Sequence, residues 1–155
     1  MGADGRPGST RYTSLRGVTV QWMVSTRRAR NALAGVRGTF GTVALVAPGL
    51  TARLFGIDAT SQPAVRYLVR LFGVRDVLMA HQLVSAVDED EAEEALRGGI
   101  VVDAVDLLAA LAAMTRGQVS ARTGLLGATG SAASLALGLI GRSRPPAAGD
   151  SAPVA

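Results

Sequence analysis

Two short charged motifs interrupt otherwise apolar stretches of this sequence, and they hold most of the residues that could do chemistry. The first is Arg70-Leu-Phe-Gly-Val-Arg-Asp76, with three charges in seven residues, and the second is Asp103-Ala-Val-Asp106. Asp103 and Asp106 are three residues apart, so they share one face of a helix. A guanidinium can hold a carboxylate through two parallel hydrogen bonds, and we therefore expect Arg70 to pair with these aspartates.

Six ionisable residues of opposite sign fall in these two segments of the chain. They are Arg66, Arg70, Arg75, Asp76, Asp103 and Asp106. Their charges cancel, which favours an internal ion-pair network that fixes helix packing, because a buried charge without a partner is far costlier than a paired one. Arg75 fits this network least well, since it faces almost away from Arg66. We expect either a kink at Gly73 or protein on both sides of the helix.

Two other interpretations of the same residues remain open. Ionisable side chains inside a membrane often mark a pathway for a small molecule, an ion or a proton, so the chain could be a channel or a transporter subunit. His81 lies on the same helical side as Arg70 and could relay protons. Asp103 or Asp106 could instead be the general base of an enzyme, but no nucleophile–base pair accompanies them. The glycines of 124–130 lack the preceding strand and following lysine of a phosphate-binding loop, so they indicate helix packing. We predict no catalytic residue.

The composition excludes several kinds of site. The chain has no cysteine and a single histidine, which excludes disulfides, thiolate metal sites, iron–sulfur clusters and histidine-rich metal sites. We accordingly predict neither a metal nor a cofactor. All 16 basic residues are arginine, yet the net charge is only +4. This charge is too small and too segregated to indicate a nucleic-acid partner.

Four apolar segments must position the charged motifs. They cover about residues 31–47, 64–87, 98–115 and 123–141. Short polar connections and the absence of strand alternation predict an all-α, antiparallel four-helix bundle. Pro48 should end the first helix, and Leu50–Ile57 should form a short helical turn or re-entrant piece.

The bundle is expected within 29–143. A disordered or interfacial basic arm should precede it at 1–28, and a disordered tail should follow at 144–155. The acidic run 88–94 is expected to be a solvated loop or the first turn of a helix.

The fourth segment favours a membrane over water. It runs for 19 residues without a charge, which is long enough to cross a bilayer. Its small residues share one helical face while leucines fill the rest, as in helices that pack in lipid. The residues of this predicted packing face include Gly127, Gly130, Ser131, Ser134 and Gly138. Asp103 and Asp106 favour a soluble protein instead, because each raises the free energy of insertion at a bilayer centre by about 2.5 to 3.5 kcal/mol unless it is paired. A soluble helical interaction module is therefore an alternative.

The arginines predict an orientation. Residues 1–37 contain seven arginines and one aspartate, and two arginines follow the last apolar segment. Because cytoplasmic ends of membrane proteins are rich in basic residues, both termini should lie in the cytoplasm and the bundle in the cell (inner) membrane. The expected partner is the lipid bilayer, and a second copy of the chain could cover Arg75.

Four sequence features together resemble a group of small bacterial four-span membrane proteins of unknown function, DoxX-like in outline. They are Gly-Thr-Phe-Gly-Thr-Val-Ala-Leu-Val-Ala-Pro48, Arg-Leu-Phe-Gly56, and the two charged motifs at 70–76 and 103–106. The resemblance covers about residues 30–142. It implies a multi-span inner-membrane protein without an established activity. The cysteines of a redox-type member are absent, so the resemblance implies no redox role.

Overall fold

The part of the chain that the structure describes folds into five helices. A computed structural model describes residues 9–60 and 62–142, the side chains of 9–20, 22 and 23 excepted. The helices are α1 Ser9–Val46, α2 Pro48–Leu54, α3 Pro63–Ser85, α4 Glu89–Thr115 and α5 Ala121–Gly141. The prediction of an all-α chain with antiparallel helix pairs is confirmed, but the helices number five where four were expected.

The first helix is much longer than predicted. It begins at Ser9, so residues 9–28, which were expected to form a disordered or interfacial arm, belong to the same helix as the first apolar segment. No proline lies between Pro7 and Pro48, and arginine, leucine, methionine and glutamine are all good helix formers. The predicted C-terminal tail lies outside the described residues.

Local sequence signals explain where the helices begin and end. Pro48 occupies the start of α2, and the chain turns by 116° between α1 and α2. The acidic run opens α4: Asp88 accepts a hydrogen bond from the Glu91 amide at 2.8 Å, and three acids lie in the first turn. Carboxylates at a helix N-terminus offset the positive end of its dipole. The helical-turn interpretation of this run is therefore the one that the structure supports.

The four long helices form a ring. α1 packs along α3, and α4 packs along α5; α1 also contacts α5, and α3 contacts α4. In this arrangement α1 and α4 lie across one diagonal of the bundle. The short α2 packs on α1 and α3 at the end opposite to the start of α4. The buried apolar residues of the described chain are mostly alanines, and one cluster among them consists of Leu33, Ala34, Leu83 and Leu96.

The α1–α3 pair is held close by glycines. A Cβ atom on Gly41 would lie 2.8 Å from the Gly73 carbonyl oxygen, and one on Gly73 would lie 2.7 Å from the Gly41 oxygen. Backbones that approach this closely leave no room for a side chain. Helix α3 continues through Gly73 without a break, and the glycine lies at the crossing with α1.

Two or three of the helices suit a membrane. α4 and α5 are each long and apolar enough to cross one, and the bent pair Val24–Val46 and Pro48–Leu54 would make a third span if it acts as one unit. α3 does not qualify, because Arg70, Arg75 and Asp76 fall within every 18-residue stretch of it. Large apolar side chains are exposed on all five helices.

Candidate functional site

A cavity of about 450 Å³ lies inside the helix ring, at the end that α2 covers. All five helices contribute to its wall. Three aromatic rings face it, those of Phe40 on α1, Phe55 after α2 and Phe72 on α3. Small residues of α4 and α5 make up the opposite side. This volume is within the range of small-molecule binding sites in proteins.

A buried ion pair crosses the diagonal of the bundle beside this cavity. The Arg37 Nη2 atom of α1 lies 2.6 Å from the Asp103 Oδ2 atom of α4, and the two side chains are only 5% and 8% exposed. Gly99 makes this contact possible, since a Cβ atom there would lie 2.6 Å from the Arg37 Nη1 atom. The guanidinium therefore lies directly against the backbone of α4.

Arg37 was not among the predicted site residues. It ends the basic stretch 1–37 and was counted only among the arginines that indicate the orientation, although it falls within the predicted first segment, 31–47. The signal that could have found it is the start of the uncharged run 38–52 immediately afterwards. In a helix that continues from the arm into this run, Arg37 is inside the bundle.

A second ion-pair group joins α3 to α4. Arg75 Nη2 lies 2.8 Å from Asp106 Oδ2 and 3.1 Å from Asp76 Oδ1. Its guanidinium carbon also lies 4.8 Å from the centre of the Phe72 ring, in cation–π geometry. The arginine that fitted the predicted network least well is thus its central member in α3.

The predicted pairing of Arg70 with the two aspartates of α4 is wrong. Arg70 and Arg66 are exposed, and the partners of Asp103 and Asp106 are Arg37 and Arg75. The reason is the rotation of α3 about its axis. Phe72 faces the cavity, and a residue two positions away on a helix points to nearly the opposite side. The glycine crossing with α1 fixes this rotation.

His81 stands apart from the network. Its side chain is exposed and is not part of the cavity wall, and its backbone oxygen accepts a hydrogen bond from the Ser85 hydroxyl at 2.7 Å. The structure does not bring it to the aspartates.

The cavity wall carries more acidic than basic groups. Two arginines, Arg37 and Arg75, face three aspartates, Asp76, Asp103 and Asp106, so the formal charge is +2 − 3 = −1. The sequence analysis expected the charges of the network to cancel. They do not cancel in the cavity wall, because Arg66 and Arg70 are not part of it. Within the described chain, one oxygen of each aspartate accepts a hydrogen bond or ion pair from arginine, and its second oxygen accepts none.

The small face of α5 serves two different purposes. Gly138 allows close packing, since a Cβ atom there would lie 2.9 Å from an Ile100 side-chain carbon. Gly130 has no atom within 4 Å of such a Cβ. Together with Gly127, Ser131 and Ser134 it lines the cavity. Most of this face therefore lines the cavity inside the ring.

Another ionic cluster, which the sequence did not predict, joins the helix ends at the opposite end of the bundle. Glu93 Oε1 lies 2.7 Å from Arg142 Nε and 3.4 Å from Arg97 Nε. Arg30 pairs with Glu89 at 2.8 Å and donates to the Gly141 carbonyl at 2.9 Å. These contacts tie the start of α4 to the end of α5 and to α1.

The end of α2 is fixed over the cavity by two contacts. The Thr123 hydroxyl of α5 donates a hydrogen bond to the Phe55 carbonyl oxygen at 2.7 Å. The Phe55 ring meets the Phe40 ring edge-to-face, with 5.9 Å between their centres. The cover of the cavity is thereby joined to both helix pairs.

Neither protein-family models, nor curated proteins, nor solved structures give a match to this chain. The resemblance to DoxX-like proteins stays a prediction. Among the described residues, no group of three or more His, Cys, Asp or Glu side chains is placed to hold a metal ion. The cavity offers groups suited to binding: an apolar wall with three aromatic rings, and carboxylate oxygens beside two guanidinium groups.

Proposed function

We propose that this chain is an integral protein of the cell membrane whose central cavity binds a small, largely apolar molecule. The observation that carries the proposal is the 450 Å³ cavity itself, which is lined by helices that expose large apolar side chains outward and hold ion pairs inward. A soluble bundle has the reverse distribution, with large apolar residues inward and charges outward.

The charges of α3 are compatible with a membrane in this arrangement. Arg75 and Asp76 pair with each other inside the ring, and Arg75 also pairs with Asp106. Arg66 and Arg70 lie within the first eight residues of α3, about 10 Å or less from its start at 1.5 Å per residue. Long arginine side chains at such a depth reach the headgroup region. α4 covers Arg75 within one chain, so the proposal needs no second copy.

The proposed orientation places the start of α1, the start of α4 and the end of α5 on the cytoplasmic side. Seven arginines of the described chain belong to that end: Arg11, Arg16, Arg27, Arg28, Arg30, Arg97 and Arg142. Five belong to the other end: Arg53, Arg66, Arg70, Arg116 and Arg122. This distribution follows the excess of basic residues on the cytoplasmic side of membrane proteins.

Membrane insertion is tested by extraction of membranes with alkaline carbonate. We expect the chain to remain in the pellet and to enter solution only with detergent. Release by carbonate alone would instead identify a soluble helical interaction module and overturn the proposal.

Ligand binding is tested by a pair of neighbouring substitutions on α5. Ser131 lines the cavity and Ala132 is exposed, so Ser131→Phe fills the cavity whereas Ala132→Phe adds the same ring outside it. The neutral probe 4-phenylbutan-1-ol should raise the melting temperature of the wild type and of Ala132→Phe in a saturable manner, because a ligand of the folded state stabilises it. Ser131→Phe should show no such rise. An equal response of all three proteins would show that the probe acts through the lipid or detergent.

A further inference from the structure

The unequal number of acidic and basic groups in the cavity wall restricts what the cavity can hold. Two guanidinium groups face three carboxylates, and both guanidinium groups are already paired. Asp103 is more than nine-tenths buried, and its Oδ1 atom accepts no hydrogen bond from the described residues. An excess of buried charge is costly.

We propose that the ligand is a lipophilic amine that carries one positive charge. Its ammonium group would restore neutrality in the cavity and donate hydrogen bonds to the carboxylate oxygens that the arginines leave free. This inference deepens the proposed function and rests on it.

The apolar part of the wall fits the same class of ligand. Phe40 and Phe55 line the cavity, and the face of an aromatic ring attracts an organic cation. Phe72 already holds the Arg75 guanidinium at 4.8 Å, which shows that a cation is accommodated against this wall. The small residues of α5 leave space for an apolar body beside the charged group.

An anionic ligand is disfavoured by the same geometry. The Arg37 Nη2 atom donates a hydrogen bond to Asp103, and the other terminal nitrogen of Arg37 lies against Gly99. Arg75 uses both Nε and Nη2 on carboxylates. A carboxylate or phosphate would have to displace an aspartate from its arginine and would face the remaining aspartates across a medium that screens charge poorly.

The experiment compares three probes of similar length that differ in charge. The full chain is placed in nanodiscs of zwitterionic lipid, and binding of 4-phenylbutylamine, 4-phenylbutan-1-ol and 4-phenylbutyrate is measured by calorimetry, with empty discs subtracted. We expect the amine to bind about tenfold more tightly than the alcohol or better, as for a hydrogen bond that involves a charged group. The carboxylate should show no saturable binding.

Two isosteric variants test the origin of this preference. Asp106→Asn removes one negative charge from the cavity wall, so the amine should then bind no more tightly than the alcohol. Glu94→Gln removes the same charge from the exposed part of the acidic run and should keep the preference. Asp76→Asn makes the same change as Asp106→Asn on α3 and replaces it if that variant fails to fold.

The outcomes separate this inference from the proposed function. Equal affinity for amine and alcohol in the wild type, or an amine preference that survives in a folded cavity variant, would overturn the amine assignment and leave the cavity as a binding site. Tighter binding of the carboxylate would do the same. The absence of saturable binding by all three probes would overturn both.

Discussion

Arg37 and Asp103 join two helices that otherwise lie apart across the diagonal of the bundle. The pair spans 2.6 Å between Nη2 and Oδ2, and both side chains are more than nine-tenths buried. Because α1 and α4 each pack on α3 and α5 but not on each other, this contact is made by a long side chain that reaches across the interior. It ties the first helix pair to the second at mid-height.

Removing one partner of this diagonal pair should destabilise the protein strongly. Asp103→Leu leaves the Arg37 guanidinium buried without its partner, and we expect the free energy of unfolding to fall by about 3 to 5 kcal/mol. The double variant Arg37→Met/Asp103→Leu removes both charges and should lose less than the single variant. The measurement is denaturation in mixed micelles followed by circular dichroism. Arg70→Met, on the exposed side of α3, is the control and should change little. Equal losses in the single and the double variant would contradict this account.

Substituting alanine for each of two adjacent glycines of α4 should change the stability of the protein in opposite directions. A Cβ atom on Gly99 would lie 2.6 Å from the Arg37 guanidinium, so Gly99→Ala should cost about 1 to 3 kcal/mol through overpacking. Gly98 has nothing within 4 Å, and Gly98→Ala should stabilise the helix by up to about 1 kcal/mol. Chemical denaturation of the two variants checks this. If Gly99→Ala is as stable as Gly98→Ala, the guanidinium does not lie against the backbone of α4.

The glycine crossing of α1 and α3 should be the least tolerant position in the first helix pair. Gly41→Ala would place its Cβ atom 2.8 Å from a backbone oxygen, which cannot move aside as a side chain can. We expect a loss of about 1 to 3 kcal/mol and a lower yield of folded protein. Gly130→Ala adds a methyl group where nothing lies within 4 Å and serves as the matched control. A neutral Gly41→Ala variant would mean that the helices are further apart than described.

The absence of cysteine from the chain permits a direct test of the proposed orientation. Single cysteines are introduced at Asp90, at the start of α4, and at Gln118, in the turn between α4 and α5. A thiol reagent that does not cross membranes should label Gln118→Cys in intact cells and Asp90→Cys only after permeabilisation. Both residues are exposed, so access to the reagent is not limited by packing. The opposite pattern would invert the topology.

The sequence predicted which segments are helical better than it predicted how the helices face one another. Proline at 48 and the polar stretches 58–63 and 116–120 divide the chain where the structure divides it. The ionic residues of α4 were recognised because Asp103 and Asp106 interrupt an apolar run. Their partners were misassigned because the rotation of α3 depends on Gly41 and Gly73, a contact between segments that no local pattern records.

Arg37 was missed by the sequence prediction for a different reason. In the sequence it ends a stretch that is rich in arginine, so it was grouped with basic residues although it falls within the predicted first segment, 31–47. Its burial follows from its contacts with Asp103 and Gly99 of α4, which no local pattern records. The small face of α5 was also recognised, but the volume it leaves open depends on where α2 folds back over the ring.

One boundary between neighbouring helices of the ring, that between α3 and α4, is only loosely packed. Among neighbouring long helices, α3 and α4 share the least contact, and the Arg75–Asp106 pair bridges them with side chains that are 32% and 26% exposed. If the chain spans a membrane as proposed, we expect a ligand dissolved in the hydrocarbon layer to reach the cavity from the side, between α3 and α4 and past the Arg75–Asp106 pair.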